Sequence, residues 1–327
     1  MTAPSAPRAA QQPRVLVTET LADDAERWLA QHAEVIRCPL EDTARLHREL
    51  ATAEALIVRT YTRVDDALLD GAPQLRVVAR AGVGLDNIDL DACRHRGVRV
   101  VHTPDANTQA VVEYVLALIF DQLRPRTDLP PNATAEAFHE LRKTEVGQQL
   151  DGLTLGIVGL GRVGSRVARA AHALNVKLLV AELIPEAELR ARHPDAPWHY
   201  LPHHELYAQS DIVTIHVDGR ASNRNLVDAQ ALAPLKPSAL LINTSRGFVI
   251  DPAALARWLR EHRDARAILD VHEPEPPPAD YPLWQVPNAR LLPHLASRTH
   301  EALANMSWVV QDVAAVLAGR EPRHPAV

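Results

Sequence analysis

At 327 residues the chain is long enough for about two domains of ordinary size. Hydrophobic residues at 46% and charged residues at 23% are the proportions of a globular protein, and a net charge of -6 argues against a nucleic-acid surface. Two cysteines, Cys38 and Cys93, exclude a disulfide framework and favour a cytoplasmic setting.

The Ala/Pro/Ser-rich stretch Met1–Gln12 lacks the apolar centre of a signal peptide and is expected to be a disordered tail. No apolar run approaches the roughly 20 residues of a membrane helix, so no membrane partner is expected. From Arg14 onward, short β-branched runs at Val15–Val17, Ala55–Val58, Leu75–Val78 and Val98–Val101 alternate with amphipathic stretches such as Ala22–Ala30 and Thr43–Leu50. That alternation predicts βαβ units and a parallel sheet, ending near Pro104. Asp105–Leu123 then predicts one long apolar helix capped by Asp105 or Asn107, followed by a Pro/Asp-rich loop over Arg124–Asn132.

A second alternating series begins near Leu153. Its strands are expected at Leu155–Val158, Lys177–Ala181, Ile212–His216, Ala239–Asn243, Ala267–Leu269 and Arg290–Leu292, with helices including Arg162–Leu174 and Pro252–Glu261 between them. A last helix is expected over Thr299–Ala318, packing through Leu303, Met306, Val310, Val313 and Leu317 and ended by Gly319. The whole is an α/β chain of two doubly wound parallel-sheet domains.

Between the first strand and helix of the second series, Gly159, Gly161 and Gly164 keep the spacing of a dinucleotide-binding turn. Such a turn lets backbone approach a diphosphate, which the N–H groups and positive helix end at Arg162–Val163 would hold. The next strand ends at Glu182, an acid placed to accept the adenosine ribose hydroxyls and to repel a 2′-phosphate, so NAD is expected rather than NADP. Three later strands end in polar segments, Leu241-Ile-Asn-Thr-Ser-Arg-Gly247, Leu269-Asp-Val-His-Glu-Pro-Glu-Pro276 and Leu292-Pro-His-Leu-Ala-Ser297. In an open parallel sheet all of these face the crevice that holds the glycine turn.

With Arg80-Ala-Gly-Val-Gly-Leu-Asp-Asn-Ile-Asp89 and Asn107-Thr-Gln-Ala-Val-Val-Glu113, these segments resemble the D-isomer-specific 2-hydroxyacid dehydrogenase family, nearest to its 3-phosphoglycerate dehydrogenase branch, over about Arg14 to Gly319. The resemblance implies a flavodoxin-like substrate domain over residues 1–104 and 296–327 and an NAD-binding Rossmann domain over 105–295. Crossing helices would form the hinge, the site would lie in the cleft between, and the chain would be a homodimer. It implies that Arg246 grips the substrate carboxylate, a match of planar fork to carboxylate. His294 would exchange a proton with the C2 oxygen, and Glu275 would orient its ring and favour the imidazolium. Glu273 competes for that last role, but Glu275 stands where the family has its acid.

Asp270 would contact the nicotinamide carboxamide, Thr244 and Ser245 would border the cofactor, and His216 would border the adenine pocket through backbone. The Gly82-Val83-Gly84 turn would offer amides to the substrate carboxylate, with Asn107 nearby, while Arg59 and Arg80 match arginines that hold a distal phosphate. The implied activity is hydride transfer between NAD and C2 of a small D-2-hydroxy or 2-keto acid, with no metal. The acid would be 3-phosphoglycerate or phosphohydroxypyruvate, or alternatively glyoxylate or hydroxypyruvate. An NAD-sensing corepressor-like binding protein is the alternative of another class. Departures from the family pattern are Glu182 for the usual aspartate, Asp218-Gly-Arg220 where a proline-containing loop is usual, and Arg298 where a small residue is usual. The chain stops at Val327, so no C-terminal regulatory domain is expected.

Overall fold

A computed structural model describes residues 12–327 of the chain. The expected tail Met1–Gln12 therefore lies, but for its last residue, outside the described residues. The chain divides into two compact units, residues 1–107 with 298–327 and residues 108–297.

In the first unit β1 (Arg14–Val17), β2 (Glu34–Arg37), β3 (Ala55–Val58), β4 (Val77–Arg80) and β5 (Arg99–His102) form a sheet of order β2-β1-β3-β4-β5. Every pairing is parallel. The two-residue period of a strand explains why nearly every residue is apolar. Leu16, Leu56, Val58, Val78 and Val100 enter the core on one face; Val15, Val17, Ile57, Val77 and Val101 enter the other. The helices between start on acid caps, with Asp42, Asp65 and Asp89 accepting the N–H of Arg45, Leu68 and Ala92. The outer edge of β5 is covered by the C-terminus, where Ala326 donates to Val100 O at 2.7 Å and His102 donates to His324 O at 3.2 Å.

The second unit holds β6 (Thr154–Val158), β7 (Lys177–Ala181), β8 (His199–Tyr200), β9 (Ile212–Ile215), β10 (Leu240–Asn243), β11 (Arg266–Leu269) and β12 (Ala289–Leu291). Their order is β12-β11-β10-β9-β6-β7-β8, again all parallel. From β6 the chain winds outward through β7 and β8, then returns to β9 on the other side of β6 and winds the opposite way. That reversal opens a crevice beyond the carboxyl ends of β6 and β9, where ligands of such sheets bind.

Several elements differ from expectation. The helix expected from Asp105 begins at Thr108, and the loop after it contains a further helix, Ala135–Thr144, that buries no residue. The single last helix is two, His300–Ser307 and Val310–Leu317, separated at Trp308. Gly319 does end it, at φ 70°. Two edge strands, β2 and β8, give no signal in sequence because each is short and carries exposed polar positions. Among the described residues no helix is long and apolar enough to cross a membrane.

Candidate active site

Beyond β6 the chain turns at Gly159, whose φ of 92° suits glycine and whose missing Cβ leaves room for the carbonyl of His216 at 2.8 Å. Gly164 is forced as well, since a Cβ there would lie 2.0 Å from the Gly159 oxygen. Gly161 is different. Its backbone is extended, with φ -68° and ψ -156°, and a Cβ would meet nothing within 4 Å. Among the described residues no neighbour demands glycine at this position, so open space is kept where the helix Arg162–His172 begins. The turn fits a dinucleotide diphosphate, which needs close backbone approach and the positive end of a helix.

Glu182 stands just past β7, and both of its oxygens are engaged, accepting from Leu160 N at 2.6 Å and Leu183 N at 2.7 Å. The carboxylate is thereby fixed beside the glycine turn, with remaining lone pairs for a ribose diol. His216 leaves β9 with Nε2 3.0 Å from the Thr214 hydroxyl, and loss of water pushes its imidazole down to about 3, so it stays neutral near pH 7. In the unusual loop that follows, Arg220 chelates Asp218 at 2.7 and 2.5 Å. Hydrogen bonding to Arg220, with a smaller contribution from the charge of Arg246, holds the Asp218 carboxyl below its usual range against burial.

The next loop is knitted by a residue the sequence reading missed. Buried Asn243, at the end of β10, accepts from Ser245 N at 3.0 Å and Ser245 Oγ at 2.7 Å and donates to Arg246 O at 2.9 Å. The Ser245 hydroxyl is thus spent inside the turn, beside Thr244, and Arg246 is presented from a rigid base, its Nη1 donating to Ser245 O at 2.8 Å. Gly247 abuts the next loop so closely that a Cβ would lie 1.9 Å from the His272 carbonyl.

That contact joins Arg246 to the imidazole–carboxylate pair. His272 N donates to Glu275 Oε1 at 2.8 Å, and Glu275 Oε2 accepts from His294 Nδ1 at 2.9 Å. Burial pushes the Glu275 carboxyl upward, but hydrogen bonding and charge from His294, with the His272 amide, outweigh it and leave the group below its ordinary value. Because Nδ1 is committed to a carboxylate, Nε2 of His294 is the nitrogen left for a substrate. His272 adds a second tie, its Nε2 donating to Leu292 O at 2.8 Å on the segment that carries His294. Glu273, the competing acid, lies instead against Arg224 at 3.4 Å. Asp270, for which the resemblance implies a nicotinamide contact, is wholly buried and turns its carboxylate onto Leu295 N and Ala296 N, each at 2.8 Å.

In the first unit Arg59 follows β3 on a loop wrapped around Glu19, whose carboxylate accepts the N–H groups of Arg59, Thr60, Tyr61 and Thr62 at 2.9 to 3.2 Å. Sequence reasoning missed Glu19, since an acid beyond a strand end carries no signal of its own. Burial, and then the neighbouring charge of Arg298, lowers the pKa of the Arg59 guanidinium. Arg80 ends β4 and folds over Gly82, where a Cβ would collide with its Nη1. The Gly82–Gly84 turn is tied to the end of β5 by Thr103 N donating to Gly82 O at 3.0 Å and by His102 Nδ1 lying 3.0 Å from Val83 O. Asn107 closes the first unit ahead of the helix at Thr108.

Comparison with known proteins agrees with this chemistry. Residues 116–296 match the family model for the NAD binding domain of D-isomer specific 2-hydroxyacid dehydrogenases. The chain is 40% identical over 277 residues to an (S)-sulfolactate dehydrogenase of Chromohalobacter salexigens, covering 84% of this chain and 87% of that protein. It is 35% identical over 300 residues to a D-3-phosphoglycerate dehydrogenase of Bacillus subtilis, covering 91% of this chain but 56% of that longer protein. Among solved structures, the TT0316 protein of Thermus thermophilus superposes with a TM-score of 0.81 at 34% identity, over 96% of this chain and all of that one. The glycine turn open to a diphosphate thus lies within a stretch that matches an NAD-binding domain, and the relatives run through both units: the chain belongs to the D-isomer specific 2-hydroxyacid dehydrogenases, which use NAD to interconvert 2-hydroxy and 2-keto acids.

Proposed function

We propose that this dehydrogenase acts on a small 2-hydroxy or 2-keto acid bearing a second anionic group, either 3-phosphoglycerate with phosphohydroxypyruvate or sulfolactate with sulfopyruvate. The bond from His294 Nδ1 to Glu275, 2.9 Å long, carries the catalytic reading. NADH held at the glycine turn would supply the hydride for C2. Arg246 grips the substrate carboxylate with a planar fork and draws electron density from the adjacent carbonyl. His294 gives the proton on Nε2 to the C2 oxygen as the hydride arrives and takes it back when the hydroxy acid is oxidised. Glu275 stabilises the charged imidazolium and keeps Nε2 outward. Glu182 accepts the adenosine ribose hydroxyls and disfavours a 2′-phosphate, so NAD is preferred to NADP.

The second anion is assigned to Arg59, helped by Arg298. Burial, and then the charge of Arg298, weaken the charged form of Arg59 against the support of Glu19, and a bound phosphate or sulfonate would offset that cost. Arg80 serves the same end of the substrate, while the amides of Val83 and Gly84, with Asn107 nearby, serve its carboxylate. A panel of phosphohydroxypyruvate, sulfopyruvate, hydroxypyruvate and glyoxylate, followed by NADH absorbance, tests the assignment. In Arg59→Ala, kcat/KM for the phosphorylated or sulfonated acid is expected to fall about 10–150-fold, the worth of a hydrogen bond to a charged group. Glyoxylate should change little. Equal losses on all acids would remove Arg59 from the site of the second anion.

The chain is also proposed to act as a homodimer through its cofactor unit. Helix Ala135–Thr144 buries nothing, and Leu129, Phe138 and Val146 around it are exposed by 50%, 43% and 80%. An isolated helix of this length is marginal in water, so a second copy covering it supplies the missing burial. Light scattering should give a dimer for the wild type and a monomer for Phe138→Asp combined with Val146→Asp; a monomeric wild type would end the proposal. A cytoplasmic location accords with Cys38 and Cys93, both buried and unpaired.

A further inference from the structure

We propose that Glu19 is a positioning residue for Arg59 and thereby sets the preference for an acid with a second anionic group over a simple 2-keto acid. This rests on the reading of Arg59 as the ligand of that second anion. All the residues concerned belong to the first unit. Strands β1 and β3 lie side by side and parallel, with Val17 opposite Ile57, and Thr18 N carries the ladder one step further by donating to Ile57 O at 3.2 Å. Parallel neighbours end at the same edge of a sheet, so the residue after Thr18 meets the loop that begins after Val58.

That loop closes around the Glu19 carboxylate. Oε1 accepts from the N–H groups of Arg59, Tyr61 and Thr62 at 2.9, 3.1 and 3.2 Å, and Oε2 accepts from Thr60 N at 2.9 Å. Consecutive amides aimed at one point form an anion-binding nest, and here a side chain of the protein is the anion. The carbonyl side is held as well, since Asn87 Nδ2 donates to Arg59 O at 3.2 Å and to Thr62 O at 2.7 Å. Thr62 turns inward, wholly buried, with its hydroxyl 2.6 Å from that of Thr18. Arg59 is the first residue of this frame, and its Nη1 donates to Thr20 O at 3.3 Å, next to Glu19 in the chain. Glu19 therefore fixes the base of the arginine through the main chain. Its charge also works against the burial and the Arg298 charge that weaken the ionised guanidinium.

Removing the charge of Glu19 separates positioning from simple electrostatics by sign. Glutamine keeps the length of the side chain but has one acceptor oxygen and one donor nitrogen, so in Glu19→Gln the nest loses its anion and one loop amide faces an N–H₂ group. With Arg59 displaced, a phosphate or sulfonate is held less well. A Glu19 that acted only as a negative charge near the ligand would do the opposite, and its removal would help an anion bind. The quantity to measure is the kcat/KM for phosphohydroxypyruvate or sulfopyruvate divided by that for glyoxylate. In the full-length Glu19→Gln variant this ratio is expected to fall about 10-fold or more, the worth of a hydrogen bond to a charged group, and no further than in Arg59→Ala. A merely structural role would lower both rates alike and leave the ratio where it was. Because Glu19 acts through Arg59, adding Glu19→Gln to Arg59→Ala should lower the ratio no further.

A ratio unchanged or raised in Glu19→Gln, or one that falls additively in the double variant, would overturn the proposal. A measurement on the wild type needs no variant to fold. The amides of Thr60 and Tyr61 belong to exposed residues, Tyr61 by 78%, yet they should exchange with solvent slowly in the protein without substrate. Exchange at the rate of an open loop would overturn the proposal as well. The underlying reading fails in a different way. Equal losses on all acids in Arg59→Ala would defeat that reading, whereas a selective loss in Arg59→Ala that Glu19→Gln does not share would defeat the role of Glu19 alone.

Discussion

His294→Asn is expected to lower turnover about 10²–10⁴-fold, the usual worth of a general acid–base group, and to leave NADH affinity near that of the wild type. Asparagine can keep a hydrogen bond to Glu275 but cannot carry a proton to the C2 oxygen, so proton transfer is lost while the cofactor turn is untouched. Stopped-flow reduction of a 2-keto acid, with NADH binding measured by fluorescence, separates the two. Equal turnover would remove His294 from the chemistry. The pair is robust to mild acid. Glu275 lies below its ordinary value of 4.5, so its favourable bond to His294 is complete above that pH and is lost only as the pH falls through the depressed value.

Much of the fold is legible in the sequence because buried parallel strands are nearly continuous β-branched runs. Ala55–Val58 and Lys177–Ala181 form where the pattern places them. The edge strands Glu34–Arg37 and His199–Tyr200 escape because water on their outer side removes the need for apolar residues. Helix Ala135–Thr144 escapes for a related reason: with no buried residue it has no core-facing stripe to read. The break at Trp308 escapes because apolar spacing continues across it.

The site divides in the same way. Residues proposed to face a ligand announce themselves by type and position, as with Arg246 after β10 and His294 after β12. Residues that hold those residues do not. Asn243 is a strand-end polar group like many others until its bonds to Ser245 and Arg246 are seen. Glu19 is some forty positions in sequence from the loop whose amides it gathers. Such roles arise from contacts between segments distant in sequence, which periodicity does not encode.

The glycine turn offers the sharpest separation of folding from binding. At Gly164 an added methyl would lie 2.0 Å from a backbone oxygen, so Gly164→Ala must push the helix Arg162–His172 away from β6. Overpacking of this kind costs about 1–3 kcal/mol or more, and a lowered Tm without cofactor is the expected reading. At Gly161 the same methyl meets no protein atom within 4 Å and the backbone already suits any residue. Gly161→Ala should therefore melt like the wild type. The space it fills is the space assigned to the diphosphate, and an equal steric cost of about 1–3 kcal/mol would fall on binding alone, weakening NADH about 5–150-fold. Calorimetry without and with NADH reads both quantities on one sample. If Gly161→Ala binds NADH as tightly as the wild type, the diphosphate does not approach the backbone at this turn, because nothing else among the described residues competes for that volume.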